Sequence, residues 1–144
     1  MSGSGTYAPS SRLIWSLTST SLGTTITAAG NSGGFTSGTQ IAGNSAVDLR
    51  DVTDVWLSVF VAGAISGGAP SLVANLDVFD GQGNLFAAVL STAALTTGTG
   101  VGAHISGGLH TGGTNSLVLP SWGRVSWAPG TGSFPGTEIA LFGR

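Results

Sequence analysis

Two amino acids with distinctive chemistry, cysteine and lysine, are absent from this 144-residue chain. Without cysteine the chain can form neither disulfides nor thiolate metal sites. Charged residues of all kinds make up 7% of the chain, whereas a soluble domain usually contains about 25%. The four basic residues are arginines spread over the whole length, which disfavours binding to nucleic-acid phosphates. The surface must therefore consist largely of Ser, Thr, Gly, Asn and small apolar groups.

A net charge of −2 leaves little electrostatic repulsion between copies. Such a surface suits a protein that remains docked in a larger assembly, and a soluble monomer solvated by its hydroxyl groups is the alternative.

Long apolar runs are also missing. The longest, residues 55–65, is about half of the ~20 residues that a membrane-spanning helix needs, so no membrane contact is expected.

The N-terminal residues 1–11 are rich in Ser and Gly and contain no basic region leading into an apolar stretch. This composition disfavours a secretory signal and predicts a flexible arm over residues 1–11. The remaining residues, 12–144, are enough for one domain of ordinary size.

A period of two dominates the rest of the chain. Val55, Leu57, Val59 and Val61 alternate with more variable residues, which predicts a strand with one face in the core. Residues 72–79 and 85–91 repeat the alternation on either side of an Asp-Gly turn at 80–84, so residues 72–91 are predicted to form a β-hairpin.

Seven further short runs have strand composition: 12–17, 24–28, 35–41, 101–105, 117–119, 124–127 and 138–142. Clusters of Gly, Ser, Asn and Pro at 30–34, 67–70 and 128–132 are interpreted as loops, and the Gly/Thr-rich tract 96–113 as mobile. The only helical candidate, 91–97, is very short. The pattern predicts an all-β fold, an antiparallel β-sandwich or jelly roll of about eight or nine short strands.

Few side chains could support catalysis or bind a metal. His104 and His110 lie six residues apart, but the nearest acidic residues in sequence, Asp80 and Glu138, are distant, and a metal site would need a third ligand. No Gly-x-Ser-x-Gly elbow occurs at a strand-to-helix turn. We expect no catalytic residue, no cofactor and no metal, and ordinary hydrogen bonding for both histidines.

Acidic residues suggest two weaker possibilities for cation binding. Residues 77–84 alternate oxygen-bearing side chains in the manner of a calcium loop, but a hairpin turn is the better explanation, because a strand rather than a helix follows. Asp48, Asp51 and Asp54 surround Arg50 just before the central strand. They are interpreted as a solvated loop and strand edge, with a cation at an assembly interface as the alternative.

The four tryptophans, Trp15, Trp56, Trp122 and Trp127, belong either to the core or to a contact surface. Trp56 shares one face of its strand with Phe60. The pair either packs between sheets, the more common arrangement, or forms an exposed stripe for a partner. Trp122 and Trp127 flank a short strand that carries Arg124, which fits an interface hot spot or a sandwich corner. The candidate protein-interface residues are Trp122, Arg124, Trp127, Trp56 and Phe60.

The closing segments, LPSWGRVSW at 119–127 and EIALFGR at 138–144, resemble the ends of small virion proteins of tailed bacteriophages. Short β-runs in a Gly/Ser/Thr/Ala-rich chain without cysteine are similar to capsid decoration, or cement, proteins. The resemblance implies a non-enzymatic protein of the virion, assembled in the host cytoplasm. It implies binding to the major capsid protein on the capsid surface, often as a trimer or another homo-oligomer.

Three hypotheses follow for function. The first is a decoration protein that stabilises the outer capsid lattice. The second is a tail or fibre component that recognises a host surface through its Gly/Ser/Thr-rich loops. The third is a small hydrolase, which a histidine hydrogen-bonded to both a hydroxyl group and an aspartate would favour.

Overall fold

A computed structural model describes residues 11–17, 24–34 and 45–144 of the chain. These residues form nine β-strands, a single turn of 3₁₀ helix at Gly113–Asn115 and no α-helix. The strands are β1 (Arg12–Leu17), β2 (Thr24–Ile26), β3 (Gly30–Asn31), β4 (Val47–Asp48), β5 (Asp54–Ala64), β6 (Ser66–Phe79), β7 (Leu85–Ser91), β8 (Thr99–Gly108) and β9 (Trp122–Gly143). The predicted all-β antiparallel class is confirmed. No helix in the described ranges is long and apolar enough to cross a membrane.

The nine strands form four neighbouring rows, each antiparallel to the next: β1 to β4, then β9, then β5 with β6, and last β8 with β7. β9 occupies a central place, with β1 to β4 along one of its edges and β5 followed by β6 along the other. β8 and β7 then pair with the far edges of β5 and β6. The predicted hairpin is confirmed, because β6 and β7 pair across the turn at 80–84.

The sheet bends across its middle and folds over on itself. The C-terminal half of β9 pairs with β1, β2 and β5, and its N-terminal half pairs with β3, β4 and β6. We call the first set, with β8, half-sheet 1 and the second, with β7, half-sheet 2. Gly67 and Gly130 adopt positive φ angles at the bend, and the register between β6 and β9 shifts on both sides of Pro70. Bulges of this kind bend a sheet sharply.

The apolar residues of both half-sheets meet in one core. The alternating set of β5 points inward and is buried, and so is the matching set of β6. The largest fully buried side chains include Phe134, Leu49, Leu57, Leu72, Leu76, Ile139 and Leu141. Each buried aliphatic or aromatic side chain contributes about 1.5–3 kcal/mol relative to exposure, so this core stabilises the bent sheet.

Several predicted boundaries are wrong, and the bend explains most of them. The clusters at 67–70 and 128–132 lie inside β6 and β9 rather than in loops, because their Gly and Pro residues form paired bulges. The predicted strands 124–127 and 138–142 are consequently parts of one strand of 22 residues. The tract 96–113 contains the regular strand β8, whereas 117–119 is not a strand and 91–97 forms no helix.

Some predictions concern residues that the structure does not describe. The strand predicted at 35–41 lies outside the described residues, as does the flexible arm of residues 1–11 apart from Ser11.

Candidate functional site

The outward surface of half-sheet 1 carries large apolar side chains. Trp56 and Phe60 alternate with the buried residues of β5, and they are 41% and 45% exposed. The structure therefore places both on an exposed stripe and not between the sheets. Apolar residues on a soluble domain surface are ordinary when scattered singly, but a contiguous group marks a contact surface.

Neighbouring strands extend this stripe into a patch. Phe142 of β9 is the register partner of Trp56, and their ring centroids lie 5.8 Å apart. Leu13 of β1 pairs with Phe142 and is exposed. The ring of His104 in β8 lies 5.2 Å from that of Trp56. We call Leu13, Trp56, Phe60, His104 and Phe142 the aromatic face.

Gly102 shapes one end of the aromatic face. It is the register partner of Phe60 in β8, and a Cβ atom placed on it would lie 3.1 Å from Cδ2 of the Phe60 ring. The ring therefore lies over the glycine backbone. A glycine covered by a cross-strand aromatic ring keeps the strand paired without a side chain of its own.

A polar cluster borders the other end of the aromatic face. Buried Asp54, at the start of β5, accepts hydrogen bonds from the backbone N–H of His110 at 2.8 Å and from the Thr53 hydroxyl at 3.1 Å. Its Oδ2 atom also lies 2.6 Å from Nδ1 of His110 and 3.8 Å from Nε of Arg144. Burial alone would raise the pKa of Asp54, but the hydrogen bonds from His110 and Thr53 outweigh it, and the pKa is lowered.

A pocket of about 310 Å³ joins the two regions. Trp56 and Phe142 supply its apolar wall, while Asp54, Ser106 and Arg144 supply polar groups. Small-molecule sites typically combine apolar walls with a few convergent polar groups, and this volume is at the lower end of their range of about 300–1,000 Å³.

The Asp54–His110 pair is only part of a hydrolytic triad. The Thr53 hydroxyl bonds to Asp54 and to the carbonyl of Arg144, and the Thr111 hydroxyl bonds to the carbonyls of Gly108 and Asn115. Across the described ranges, no Ser or Thr hydroxyl is hydrogen-bonded to His110. Nucleophilic catalysis needs that hydroxyl within reach of the imidazole.

The other predicted interface residues are placed differently from Trp56 and Phe60. Trp127 stacks on Trp15 with ring centroids 6.1 Å apart and packs against the core. Trp122 is half-buried beneath the guanidinium of Arg50, which lies 4.9 Å from its ring centroid. The structure does not bring these two tryptophans to the aromatic face.

Arg124 has an internal partner. Its Nε atom donates to Oδ2 of Asp77 at 2.7 Å, and Asp77 is 1% exposed. The other carboxylate oxygen accepts the backbone N–H of Ala88, which has a φ of 55° at a bulge in β7. The Arg124–Asp77 pair thus joins β9, β6 and β7 on the outer side of half-sheet 2.

The acidic residues do not converge on a metal position. Asp48 bonds Arg50 in a two-point contact, which lowers the pKa of Asp48 to about 2, and Asp54 bonds His110. Asp80 accepts the backbone N–H groups of Gln82 and Asn84, so its carboxylate holds the hairpin turn. No group of three metal-ligating side chains forms among the residues that the structure covers.

Sequence reasoning identified Trp56 and Phe60 but missed their neighbours and the polar cluster. Asp54 and His110 are 56 positions apart, so only the strand order brings them together. The alternation at 138–142 does place Phe142 on the face opposite Ile139 and Leu141, which was the available signal.

No family model, curated protein or solved structure matches this chain.

Proposed function

We propose that the chain is a non-enzymatic structural protein of a tailed-bacteriophage virion that binds the outer capsid lattice and stabilises it. The observation that carries this proposal is the aromatic face, a group of exposed and half-buried aromatic and apolar side chains on adjacent strands of half-sheet 1. Aromatic residues are enriched in protein interfaces and concentrate their binding energy.

The charge content of the chain supports a docked state. With ten charged residues in 144, few ion pairs are available for recognition, and the major capsid protein would be contacted through apolar groups and backbone hydrogen bonds. A protein that binds only the assembled lattice stabilises that lattice by mass action. The resemblance of segments 119–127 and 138–144 to virion proteins supports the choice of assembly.

Locating the chain in purified particles tests this proposal. We expect quantitative mass spectrometry to find many copies per virion, and cryo-electron microscopy to place them over the capsid. Absence from purified particles would contradict a virion role, and a few copies confined to the tail would favour the alternative below.

The pocket beside Trp56 favours a tail or fibre component as the second candidate. Trp56 and Phe142 could stack on the apolar face of a sugar ring, while Asp54, Ser106 and Arg144 offer hydrogen-bonding groups. A host-surface glycan would then be the ligand. Binding of soluble host polysaccharide by the wild-type chain, and its loss in Trp56→Ala, would favour this candidate over capsid decoration.

The hydrolase hypothesis rests on the Asp54–His110 pair alone. A buried aspartate that orients a histidine is a recurrent catalytic arrangement, but the hydroxyl nucleophile is not hydrogen-bonded to His110 in the described part of the chain. This hypothesis would be supported if the wild-type chain released acyl products from activated esters and His110→Ala did not.

A further inference from the structure

β8 forms an edge of half-sheet 1. It pairs with β5 in register from Asp54 to Val61. Within the described ranges no strand lies along its other side, where the segment at Ser116 and Leu117 pairs only with Gly108, at the end of β8. An edge of this kind presents backbone N–H and C=O groups to any strand that can approach.

The register shows which backbone groups point outward. Asp54 and Arg144 donate to each other's carbonyls, so the backbone groups of Asp54 are directed toward β9. The backbone N–H and C=O groups of successive residues point to opposite sides of a strand. Those of Val55, Leu57 and Val59 therefore point toward β8. Their register partners Gly107, Ile105 and Ala103 use their N–H and C=O groups on β5. The groups of Gly102, His104 and Ser106 are directed to the open side.

Between Gly102 and Ser106, nothing in the sequence of β8 blocks that edge. Natural sheets protect edges with charged side chains, proline or strong bulges, and the ten residues of β8 contain no charged residue and no proline. Its inward-facing side chains, Val101, Ala103 and Ile105, pack against the core yet remain only half-buried. An additional strand beside β8 would cover them.

We propose that β8 pairs with β8 of a second copy of this chain, so that half-sheet 1 continues across a two-fold axis. In antiparallel pairing, His104 of one copy faces His104 of the other, and Gly102 faces Ser106 in both directions. Each of these pairs can exchange both backbone hydrogen bonds, since these are the outward-directed groups.

The strand itself favours a second copy as the occupant. Gly102 and Ser106, two positions before and after His104, are both small. The outer face of β8 therefore presents a histidine between two small residues in either strand direction. The absence of charge in β8 removes like-charge repulsion between identical strands. Pairing would also bring two aromatic faces together, because His104 contacts Trp56 within each copy. The proposal does not rest on the virion function and concerns the isolated protein.

A single introduced cysteine tests the proposed axis, since the chain has none of its own. Residues paired through hydrogen bonds in antiparallel strands have Cα atoms about 5.5 Å apart, within the range that a disulfide spans. We expect His104→Cys to form a disulfide-linked dimer on mild oxidation. Val118→Cys, at an exposed position outside β8, is the matched control and should remain monomeric on a non-reducing gel. Equal cross-linking of both variants would overturn the assigned axis.

Two proline variants separate dimer formation from folding. His104→Pro removes an N–H directed to the open side, a position where edge strands tolerate proline. It should weaken dimerisation roughly tenfold or more and leave the Tm unchanged at protein concentrations where the wild type is monomeric. Ala103→Pro removes an N–H that bonds β5 and should lower the Tm.

Analytical ultracentrifugation measures the association constants. A wild-type chain that sediments as a monomer at its highest soluble concentration would overturn the proposal. So would a His104→Pro variant that dimerises like the wild type. If His104→Pro fails to fold, His104→Lys decides the question, because it places like charges opposite each other at the axis while leaving the backbone intact.

Discussion

The Arg124–Asp77 pair shows that the sequence neighbours of a residue do not reveal its partner in the fold. Arg124 lies between two tryptophans, as an interface arginine often does, but its nearest partner is a buried carboxylate on the neighbouring strand. Removing one partner of a buried pair leaves an uncompensated charge and costs about 3–5 kcal/mol.

We therefore expect Arg124→Met to lower the free energy of unfolding by about 3 kcal/mol, measured by urea denaturation. The double variant Arg124→Met/Asp77→Asn should lose less free energy of unfolding than the two single variants lose in total, because neither charge remains unpaired. Arg50→Met, which breaks the exposed pair with Asp48, is the control and should change stability little. A wild-type stability for Arg124→Met would contradict the internal role.

Asp54 gives a prediction for acid stability. Its pKa in the folded state is lowered, so its stabilising effect is complete above the unfolded-state pKa of about 3.9 and is lost as the pH falls through the folded-state value. We expect Asp54→Asn to cost about 1–3 kcal/mol at pH 5, and this difference from wild type should shrink toward pH 2. Denaturation at a series of pH values measures it. Asp51→Asn, at an exposed neighbour, serves as the control, and a pH-independent loss in Asp54→Asn would refute the explanation.

At the scale of elements, the bend in the β6–β9 ribbon depends on glycine. Gly130 has a φ of 62°, and a Cβ atom there would lie 2.6 Å from the carbonyl oxygen of Ala69. A Gly→Ala change at a compatible position stabilises a protein by up to ~1 kcal/mol. Gly130→Ala should instead destabilise this fold, by more than that amount. Gly81→Ala, in the hairpin turn with open space around it, is the control. Thermal unfolding of both variants compares them, and equal Tm values would contradict a strained bend.

The elements that sequence could predict are those with uninterrupted alternation. Val55, Leu57, Val59 and Val61 identify β5 and its buried face, and Asp80 with Gly81 identifies the hairpin. The same rules failed at 67–70 and 128–132, because glycine and proline occur both in loops and in paired bulges, and only the partner strand distinguishes them. The sequence of 138–142 alone is also compatible with an open strand edge that a partner could pair with. In the structure this segment lies between β1 and β5 with both edges paired.

The site was partly predictable for the same reason. Alternation places Trp56 and Phe60 on one side of β5, but whether that side is covered depends on what packs over the sheet. The pairing of Trp56 with Phe142 and of Asp54 with His110 follows from strand order, which a single sequence does not contain.

At the scale of the whole molecule, one side of the bent sheet combines an apolar patch with an open edge. The aromatic face lies on half-sheet 1, and β8 at its border has backbone groups from Gly102 to Ser106 that pair with no strand in the described part of the chain. In the function that we propose, a chain with so few charged residues would recognise its protein partner mainly through such features. Exposed ion pairs contribute at most about 1 kcal/mol each and are screened by salt.

Attachment to capsids in high salt tests this account most directly. Particles that lack the chain are mixed with the purified protein at low salt and at about 1 M NaCl, where the Debye length is about 3 Å, and bound protein is measured by co-sedimentation. We expect wild-type protein to bind in both conditions and Trp56→Ser/Phe60→Ser to fail in both while keeping the wild-type Tm. Phe86→Ser, at a phenylalanine exposed on β7, should bind normally. Release of the wild type by salt alone, with Trp56→Ser/Phe60→Ser still bound at low salt, would contradict the account.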